Sequence, residues 1–232
     1  MAHFPRFSLF LVALALVTST TLFTTGCGDN SGRARLRVVH ASPDAPNVDV
    51  TVDGKTVLTN VPYETASGYL TVGSGSRKIA VRATGASQDV INATVNLTNK
   101  KDYTVLAADL LANISPLVLT DNNTPPTAGN IKLRLVHASP SAGPVDIYVG
   151  APGAGVGGSP TLTNVPFKGF SDYLEVPAGS YQVYITPTAS KTIAIDSGVL
   201  AITAGQIRTA IALDVTGGGA VQPTPLLLSD LN

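Results

Sequence analysis

Short stretches in which apolar residues alternate with polar ones recur along most of this chain. One example is VDVTVD at residues 48–53, in which three valines alternate with two aspartates and a threonine. This period-two pattern is typical of half-buried β-strands, and it returns at residues 36–40, 78–82, 103–107 and 181–185. Turn signals such as Asp53-Gly54 separate these stretches. Since no segment after residue 34 has a clear helical period, we predict an all-β fold.

A long internal repeat organises these predicted strands. The segment RLRVVHASPDAP, which begins at Arg35, returns as KLRLVHASPSAG, which begins at Lys132. Later segments reappear in the same order, for example VDVTV as VDIYV and PLVLTD as PLLLSD. The second copy carries one insertion, GAPGAGVGGSP, at a hairpin tip where a loop can lengthen at little cost in closure entropy. Two similar units in tandem should share one fold.

The domain boundaries follow from this repeat. We predict a lipoprotein signal peptide at residues 1–26, a tether at 27–34, a β-sandwich at 35–122, a linker at 123–130 and a second β-sandwich at 131–232. Each sandwich should be antiparallel and immunoglobulin-like, with about seven short strands. A unit of this length can bury its own core.

Residues 1–27 have the layout of a secretory signal. Arg6 precedes an apolar run at residues 7–17, which is too short to span a bilayer securely. The one cysteine of the chain, Cys27, follows a series of small residues. A lone cysteine has no partner for a disulfide, and this position favours processing of the chain.

Thr25-Gly26-Cys27 resembles the lipobox of bacterial lipoproteins. The resemblance implies that Cys27 is lipidated with acyl chains such as palmitate and becomes the first residue of the mature protein. Thr24 departs from the pattern, which has Leu or a similar aliphatic residue there. Gly28 stands where Asp would signal retention in the inner membrane, so we expect the outer membrane in a host that has two. The alternative is an ordinary signal peptide whose removal leaves a free thiol.

Four motifs together resemble the bacterial and archaeal family catalogued as domain of unknown function 4397. They are the HASP segment after an apolar strand, the VDV strand with its Asp-Gly turn, the NVPY segment and the later GYL strand. The resemblance covers both repeats. It implies a secreted or surface-anchored β-rich module of undetermined activity and brings no catalytic residues with it.

Charge and composition argue against nucleic-acid binding. The 15 Lys and Arg residues balance the 15 Asp and Glu residues, and there is no basic run that could neutralise several phosphates. The chain has no tryptophan, which argues against large aromatic stacking platforms.

The two HASP segments supply the most conspicuous candidate site residues: His40, Ser42, Pro43, His137, Ser139 and Pro140. Each histidine shares the parity of the inward apolar positions, so we interpret it as a structural residue whose ring binds a backbone carbonyl or the nearby serine hydroxyl. The Ser-Pro step then leads the chain into a loop. A catalytic Ser42, His40 and Asp44 or Asp49 arrangement is disfavoured, because no nucleophile elbow surrounds the serine.

Metal chemistry has little support in the sequence. Zinc needs three or four converging ligands, and each repeat contains one histidine. Calcium prefers loop oxygens, which Asp44, Asn47 and Asp49 would offer in the first repeat, but the second repeat keeps one of the three. We therefore expect no cofactor and leave a calcium role in the first repeat as an open alternative.

Asp49 and Asp146 are better explained by cross-strand pairing. If the first two strands of each repeat are neighbours, Arg37 should pair with Asp49 and Arg134 with Asp146 on the outer face. An aromatic ligand groove lined by Tyr63, Tyr69 and their counterparts in the second repeat is an alternative to simple core filling.

These observations favour a non-enzymatic, lipid-anchored cell-envelope protein with a structural, adhesive or protein-interaction role. Its expected partners are the membrane, through the lipid anchor, and other envelope proteins or surface glycans. The alternative is a module that binds a glycan or another small ligand. An envelope hydrolase is a third hypothesis, and buried serines at Ser42 and Ser139 would count against it.

Overall fold

The computed structural model describes residue 1, residues 32–221 and residues 224–230. Ser31–Asn232 forms one compact unit that contains both repeats. The predicted signal peptide and Cys27 lie outside the described residues, so their roles stay predictions. In the part of the chain that is described, no helix is long and apolar enough to cross a membrane.

Each repeat folds into eight strands. The first repeat contains β1 (Arg33–Ala41), β2 (Val48–Val52), β3 (Lys55–Val61), β4 (Leu70–Gly73), β5 (Gly75–Ala83), β6 (Asp89–Leu97), β7 (Asp102–Ala108) and β8 (Ser115–Asp121), with a short 3₁₀ helix at Leu111–Asn113. The second contains β9 (Asn130–His137), β10 (Val145–Gly150), β11 (Leu162–Val165), β12 (Leu174–Pro177), β13 (Gly179–Pro187), β14 (Ile195–Ile202), β15 (Ile207–Ala212) and β16 (Leu226–Ser229).

The strands of each repeat form two facing four-stranded sheets. The orders are β4-β1-β7-β8 and β3-β2-β5-β6 in the first repeat, and β12-β9-β15-β16 and β11-β10-β13-β14 in the second. The predicted all-β fold with two tandem sandwiches is confirmed. The pairing also contains parallel ladders, because β1 runs parallel to β7 and β9 runs parallel to β15. Such a pair needs a long connection, and here the intervening strands supply it.

The hairpin between β2 and β3 has the two-residue turn that Asp53-Gly54 predicted. Asp53 and Gly54 have φ angles of 50° and 78°, and a two-residue hairpin turn of this kind requires positive φ at both positions. In the second repeat the corresponding turn is replaced by the insertion, residues 150–160. As a result β11, at Leu162–Val165, is shorter than its counterpart β3, at Lys55–Val61.

Three apolar cores hold the unit together. One lies inside each sandwich. The third lies between the repeats, where sheet β4-β1-β7-β8 packs against sheet β12-β9-β15-β16. Its buried members are Val39, Ala41, Leu106, Ala108, Leu119, Val136, Ala138, Ile211, Leu213 and Leu228. The unit is therefore a stack of four sheets, and all residues of β7 are buried because both faces of its sheet are covered.

Candidate functional site

The first HASP segment ends β1 with its histidine inside the sandwich. His40 is fully buried, and its Nε2 lies 3.0 Å from the carbonyl oxygen of Pro46. Since a carbonyl oxygen only accepts, Nε2 must carry the proton. Burial lowers the pKa of His40, and the hydrogen bond to Pro46 offsets this in part. The ring is thus a neutral residue that holds the following loop to the strand.

The second HASP segment repeats this geometry. Nε2 of His137 donates to the carbonyl oxygen of Gly143 at 3.1 Å, and burial lowers its pKa too. The histidine rings meet an aromatic ring edge-on in both repeats, His40 with Tyr63 at 5.9 Å and His137 with Phe167 at 6.3 Å. Both histidines therefore close the loop that Pro43 or Pro140 begins.

The two HASP serines are also fully buried. The hydroxyl of Ser42 has no hydrogen-bond partner among the described residues, while the hydroxyl of Ser139 donates to the carboxylate of Asp214. Asp214 also accepts hydrogen bonds from the backbone N–H and the hydroxyl of Ser141, at 3.1 and 2.6 Å. A buried hydroxyl that donates to a carboxylate is not a poised nucleophile, which counts against the hydrolase hypothesis.

The candidate calcium ligands of the first repeat have partners within the chain. Asp44 accepts a hydrogen bond from the backbone N–H of Leu111 at 2.7 Å. Asn47 and Asp49 meet instead at Asn60, whose side chain accepts from Asn47 at 2.9 Å and whose backbone N–H donates to Asp49 at 2.8 Å. The bond from Asn60 is the main reason that the pKa of Asp49 is lowered. Across the described ranges, no cluster of three or more His, Cys, Asp or Glu side chains could hold a metal ion.

The predicted ion pair of Arg37 with Asp49 is wrong, and so is that of Arg134 with Asp146. The first two strands of each repeat lie in different sheets, so these side chains do not share a face. Asp146 resembles Asp49 in accepting a backbone hydrogen bond, here from Asn164 at 2.8 Å. Both aspartates therefore hold an asparagine of positive φ, Asn60 or Asn164, at an irregular point of the edge strand of an outer sheet.

The two arginines pair across the surface between the repeats, which we call the junction. Arg37 pairs with Asp230 and Arg134 pairs with Asp121, each at 2.6 Å. The side chains are 3% and 0% exposed in the first pair and 2% and 0% in the second, so both pairs are withdrawn from water. Burial acts to lower the pKa of Arg37, but nearby negative charge, chiefly that of Asp230, outweighs it and the net shift is upward.

The remaining hydrogen bonds of these carboxylates come from equivalent residues of their own repeats. Tyr69 donates to Asp121 at 2.6 Å, and Tyr173 donates to Asp230 at 2.8 Å. Each tyrosine lies under the junction arginine of its own repeat, at 4.8 and 4.7 Å. A threonine of each repeat donates to the same carboxylates: Thr104 and Thr209. Burial raises the pKa of both tyrosines, so their hydroxyls remain protonated donors.

The aromatic residues considered for a ligand groove belong to this junction. Tyr69 and Tyr173 bind its carboxylates, and the hydroxyl of Tyr63 donates to the backbone oxygen of Asp214 in the second repeat at 2.6 Å. Tyr63 thus links the two repeats, whereas Tyr69 and Tyr173 hold carboxylates of their own repeats, and the hydroxyls of all three rings are engaged within the protein.

A different aromatic pair lies on the outer sheet of the second repeat. Tyr148 on β10 is opposite Tyr184 on β13, and neither belongs to the sandwich core. Each is 6% exposed. Lys191 reaches over Tyr148, with its Nζ 4.8 Å from the ring centre and 3.0 Å from the hydroxyl oxygen. Its Nζ also donates to the carbonyl oxygen of Gly158 in the insertion at 2.9 Å.

Comparison with known families identifies the repeat unit. The family model for a domain of unknown function (DUF4397) matches residues 34–148 and 150–232. The chain belongs to this family. The first match extends beyond the first sandwich through β9 and most of β10, and the second match covers the rest of the second sandwich, so together they span both repeats.

No curated protein sequence matches the chain. Solved structures similar to it include the carbohydrate-binding module CBMbc (family CBM26) of Eubacterium rectale Amy13K, determined in complex with maltoheptaose. It is 9% identical, with 83% of this chain and 97% of that chain covered and a TM-score of 0.27. A streptococcal virulence factor that binds α-glucan is 10% identical, with 85% and 100% covered and a TM-score of 0.25. A candidate adhesin of Bacteroides ovatus is 12% identical, with 86% and 93% covered and a TM-score of 0.24.

The second DUF4397 repeat also has a pocket at one end of its sandwich. Its volume is about 260 Å³, and its lining includes His137, Ser139, Val145, Ile185 and Val221. This is slightly smaller than the roughly 300–1,000 Å³ that small-molecule sites usually occupy. In the first DUF4397 repeat the equivalent loop places Ile114 in the core, whereas in the second repeat Val221 of this loop lines the pocket and is only partly buried.

Sequence reasoning missed the outer tyrosine pair of the second DUF4397 repeat, although a signal was present. In VDIYV and QVYIT the tyrosines occupy the polar parity of the strand, and the first repeat has Thr51 and Ala80 at the matching positions. Large aromatic residues on an outward face indicate that another segment covers that face. The insertion that begins at Gly150 was the segment to suspect.

Proposed function

We propose that this chain is a non-enzymatic, lipid-anchored module of the cell envelope that works by displaying the outer surface of its second repeat. One observation carries the proposal. The polar residues that the two repeats share are used inside the sandwiches or at the junction, as with His40, Ser139, Arg37 and Arg134, whereas the insertion of the second repeat stands on an outer sheet. Binding elements on loops over a rigid scaffold are a common arrangement.

The lipid anchor rests on the sequence around Cys27. Each buried methylene of an acyl chain contributes about 0.8 kcal/mol to membrane binding, so two or more chains hold a protein durably. The short segment between Cys27 and β1, which begins at Arg33, then separates the anchor from the folded unit.

Replacing Cys27 tests the anchor. We expect Cys27→Ala to release the protein from membranes and to abolish incorporation of labelled palmitate. Thr24→Leu is the matched control, because it brings the segment closer to the lipobox pattern and should leave labelling at least as strong. Unchanged membrane retention of Cys27→Ala would refute the anchor.

Site-specific photo-crosslinking in intact cells tests the display role. A crosslinker at Val156, in the insertion, should capture a discrete envelope component. The control is the same crosslinker at Lys55, which follows the corresponding hairpin turn of the first repeat and is exposed. Equal capture from both positions, or capture from neither, would contradict a specific role of the second repeat.

The second candidate function is glycan or small-ligand binding, which the tyrosine pair under the insertion favours. Aromatic faces next to hydrogen-bonding side chains are a common basis for recognition of such ligands.

A further inference from the structure

The two outer sheets differ at one pair of matched positions. In the first repeat Thr51 is opposite Ala80 on strands β2 and β5, and in the second repeat Tyr148 is opposite Tyr184 on the equivalent strands β10 and β13. Since the sandwich is built without these rings in the first repeat, the fold itself does not require two tyrosines here. Their presence coincides with the insertion, which the first repeat lacks.

The insertion is held to this face by hydrogen bonds between its backbone and two side chains of the second repeat. The backbone N–H of Gly153 donates to Oε1 of Gln182 at 2.8 Å, and Nζ of Lys191 donates to the carbonyl oxygen of Gly158 at 2.9 Å. Gln182 lies two residues before Tyr184 on the same strand, and Lys191 contacts Tyr148. The insertion is therefore fastened beside each of the two rings, which are 6% exposed.

The polar groups around the rings suit a hydroxyl-rich ligand. The side-chain amide of Gln182 can both accept and donate hydrogen bonds. In the structure its Nε2 donates to Asp196 at 2.5 Å. Lys191 donates through its ammonium group, and Asp196 accepts through its carboxylate. Sugar hydroxyls both donate and accept, and the C–H face of a pyranose ring is apolar enough to lie against an aromatic face. A ligand hydroxyl can take over the same bonds that hold the insertion in place.

We propose that Tyr148 and Tyr184 form a binding site for a pyranose-containing glycan, reached when the insertion lifts from the outer sheet of the second repeat. The two rings form the platform, Gln182, Lys191 and Asp196 bind hydroxyls, and the insertion closes over the sugar. This site rests on the proposed display function and gives it a ligand class. The glycines at residues 150, 153, 155, 157 and 158 give the insertion the backbone freedom that such a movement needs.

Binding is tested with the folded protein and three named probes: soluble starch, laminarin and chitin oligosaccharides. Affinity electrophoresis and calorimetry should show binding of at least one of them. The variant Tyr148→Thr/Tyr184→Ala, which copies the residues of the first repeat, should weaken that binding by about tenfold or more. Tyr181→Phe is the matched control: Tyr181 lies on the same strand, packs against the sandwich core and donates its hydroxyl to Pro177, so binding should be unchanged.

A second measurement tests the cover independently of any ligand. The chain has no tryptophan, so its intrinsic fluorescence comes from tyrosine. Lys191→Met removes the bond to Gly158 and should make this fluorescence more accessible to quenching by acrylamide. Lys55→Met, in the first repeat, should not. Equal quenching of Lys191→Met and the wild type would overturn the closing role of the insertion.

Two results would overturn the glycan site itself: no binding of any of the three probes, or binding that the double tyrosine variant retains in full. Its failure is distinguishable from failure of the display function. If the crosslinker at Val156 still captures a discrete component in the double tyrosine variant, the display function stands and the glycan site does not.

Discussion

Matched positions of the two repeats make the same contacts at the junction but carry different side chains on the outer sheets. At the junction, Arg37 and Arg134 occupy equivalent positions and make equivalent bonds of 2.6 Å to carboxylates of the other repeat. On the outer sheets, the pair of Thr51 with Ala80 becomes a pair of tyrosines beneath an insertion. The first comparison shows identity and the second shows divergence.

The difference has a physical reason. Each junction arginine meets a carboxylate of the other repeat, and the contact is made twice in opposite directions, as in an isologous dimer. A change in one repeat therefore leaves a buried group of the other without its partner. The outer sheets have no such constraint, so they are free to differ, and a specific function is expected where they do.

Breaking one junction pair should have the largest effect. Arg134→Met leaves Asp121 buried without its cation, and we expect a loss of about 3–5 kcal/mol in the free energy of unfolding, measured with urea. Arg37→Met should cost a similar amount. Arg77→Met is the control: Arg77 pairs with Asp53 at 2.9 Å, but their side chains are 27% and 45% exposed, so about 0–1 kcal/mol is expected. Similar losses for Arg134→Met and Arg77→Met would contradict a junction withdrawn from water.

Removing apolar contact from the junction should come next. Leu228→Ala leaves a cavity between the sheets, and we expect a loss of about 2–4 kcal/mol. Leu119→Ala should behave alike, since Leu119 is the matching residue of the first repeat in the same cluster. Leu227→Ala, beside it on β16 but 39% exposed, should change the unfolding free energy by about 0.5 kcal/mol. Equal losses in unfolding free energy for Leu227→Ala and Leu228→Ala would contradict the burial of Leu228 between the two repeats.

The loops after β7 and β15 begin with the equivalent residues Asp109 and Asp214, which have different hydrogen-bond partners. Asp214→Asn disturbs the bonds from Ser139 and Ser141, so we expect a loss of about 1–3 kcal/mol in thermal or urea unfolding. Its counterpart Asp109 accepts a bond from the adjacent Leu110, and Asp109→Asn should change stability by about 0.5 kcal/mol. An equal effect at both positions would show that the two loops are held in the same way.

The smallest effect is expected from the buried histidines, which should make the free energy of unfolding depend on pH. Burial lowers the pKa of His40 and His137 below the ordinary 6.5. Between the folded and the ordinary value the unfolded chain binds more protons than the folded one, so stability rises with pH. The free energy of unfolding should therefore fall as the pH is lowered from 6.5, with a slope that His40→Gln/His137→Gln reduces. A slope unaffected by that variant would assign the dependence to other groups.

Much of the architecture was predictable because its signals are local. Alternation placed Leu36, Val38 and His40 on one face of a strand, and Asp53-Gly54 marked a turn that needs positive φ. Each of these patterns occurs in both repeats, which supports the same interpretation twice. The parallel ladder between β1 and β7 was not predictable in the same way, because it joins segments about seventy residues apart and leaves no local pattern.

The sites were harder to predict than the strands. The inward positions of His40 and His137 followed from parity, but the partners of Arg37 and Arg134 did not. An arginine that alternates with apolar residues reads as a solvent-facing residue, and here that face is covered by another sheet. The tyrosine pair was missed for the same reason, since its cover lies in an insertion that has no pattern of its own.

The amino-acid sequence by itself determined the strands, the turns, the duplication and which side chains share a face, because these depend on backbone preferences and a two-residue period. Tertiary structure alone decided what covers each face. Packing of the two repeats turned Arg37 and Asp230, which are 193 residues apart, into a buried pair. Tyr148 and Tyr184 have outward parity yet are each 6% exposed beside the insertion, because burial depends on which surfaces meet and not on the order of residues along a strand.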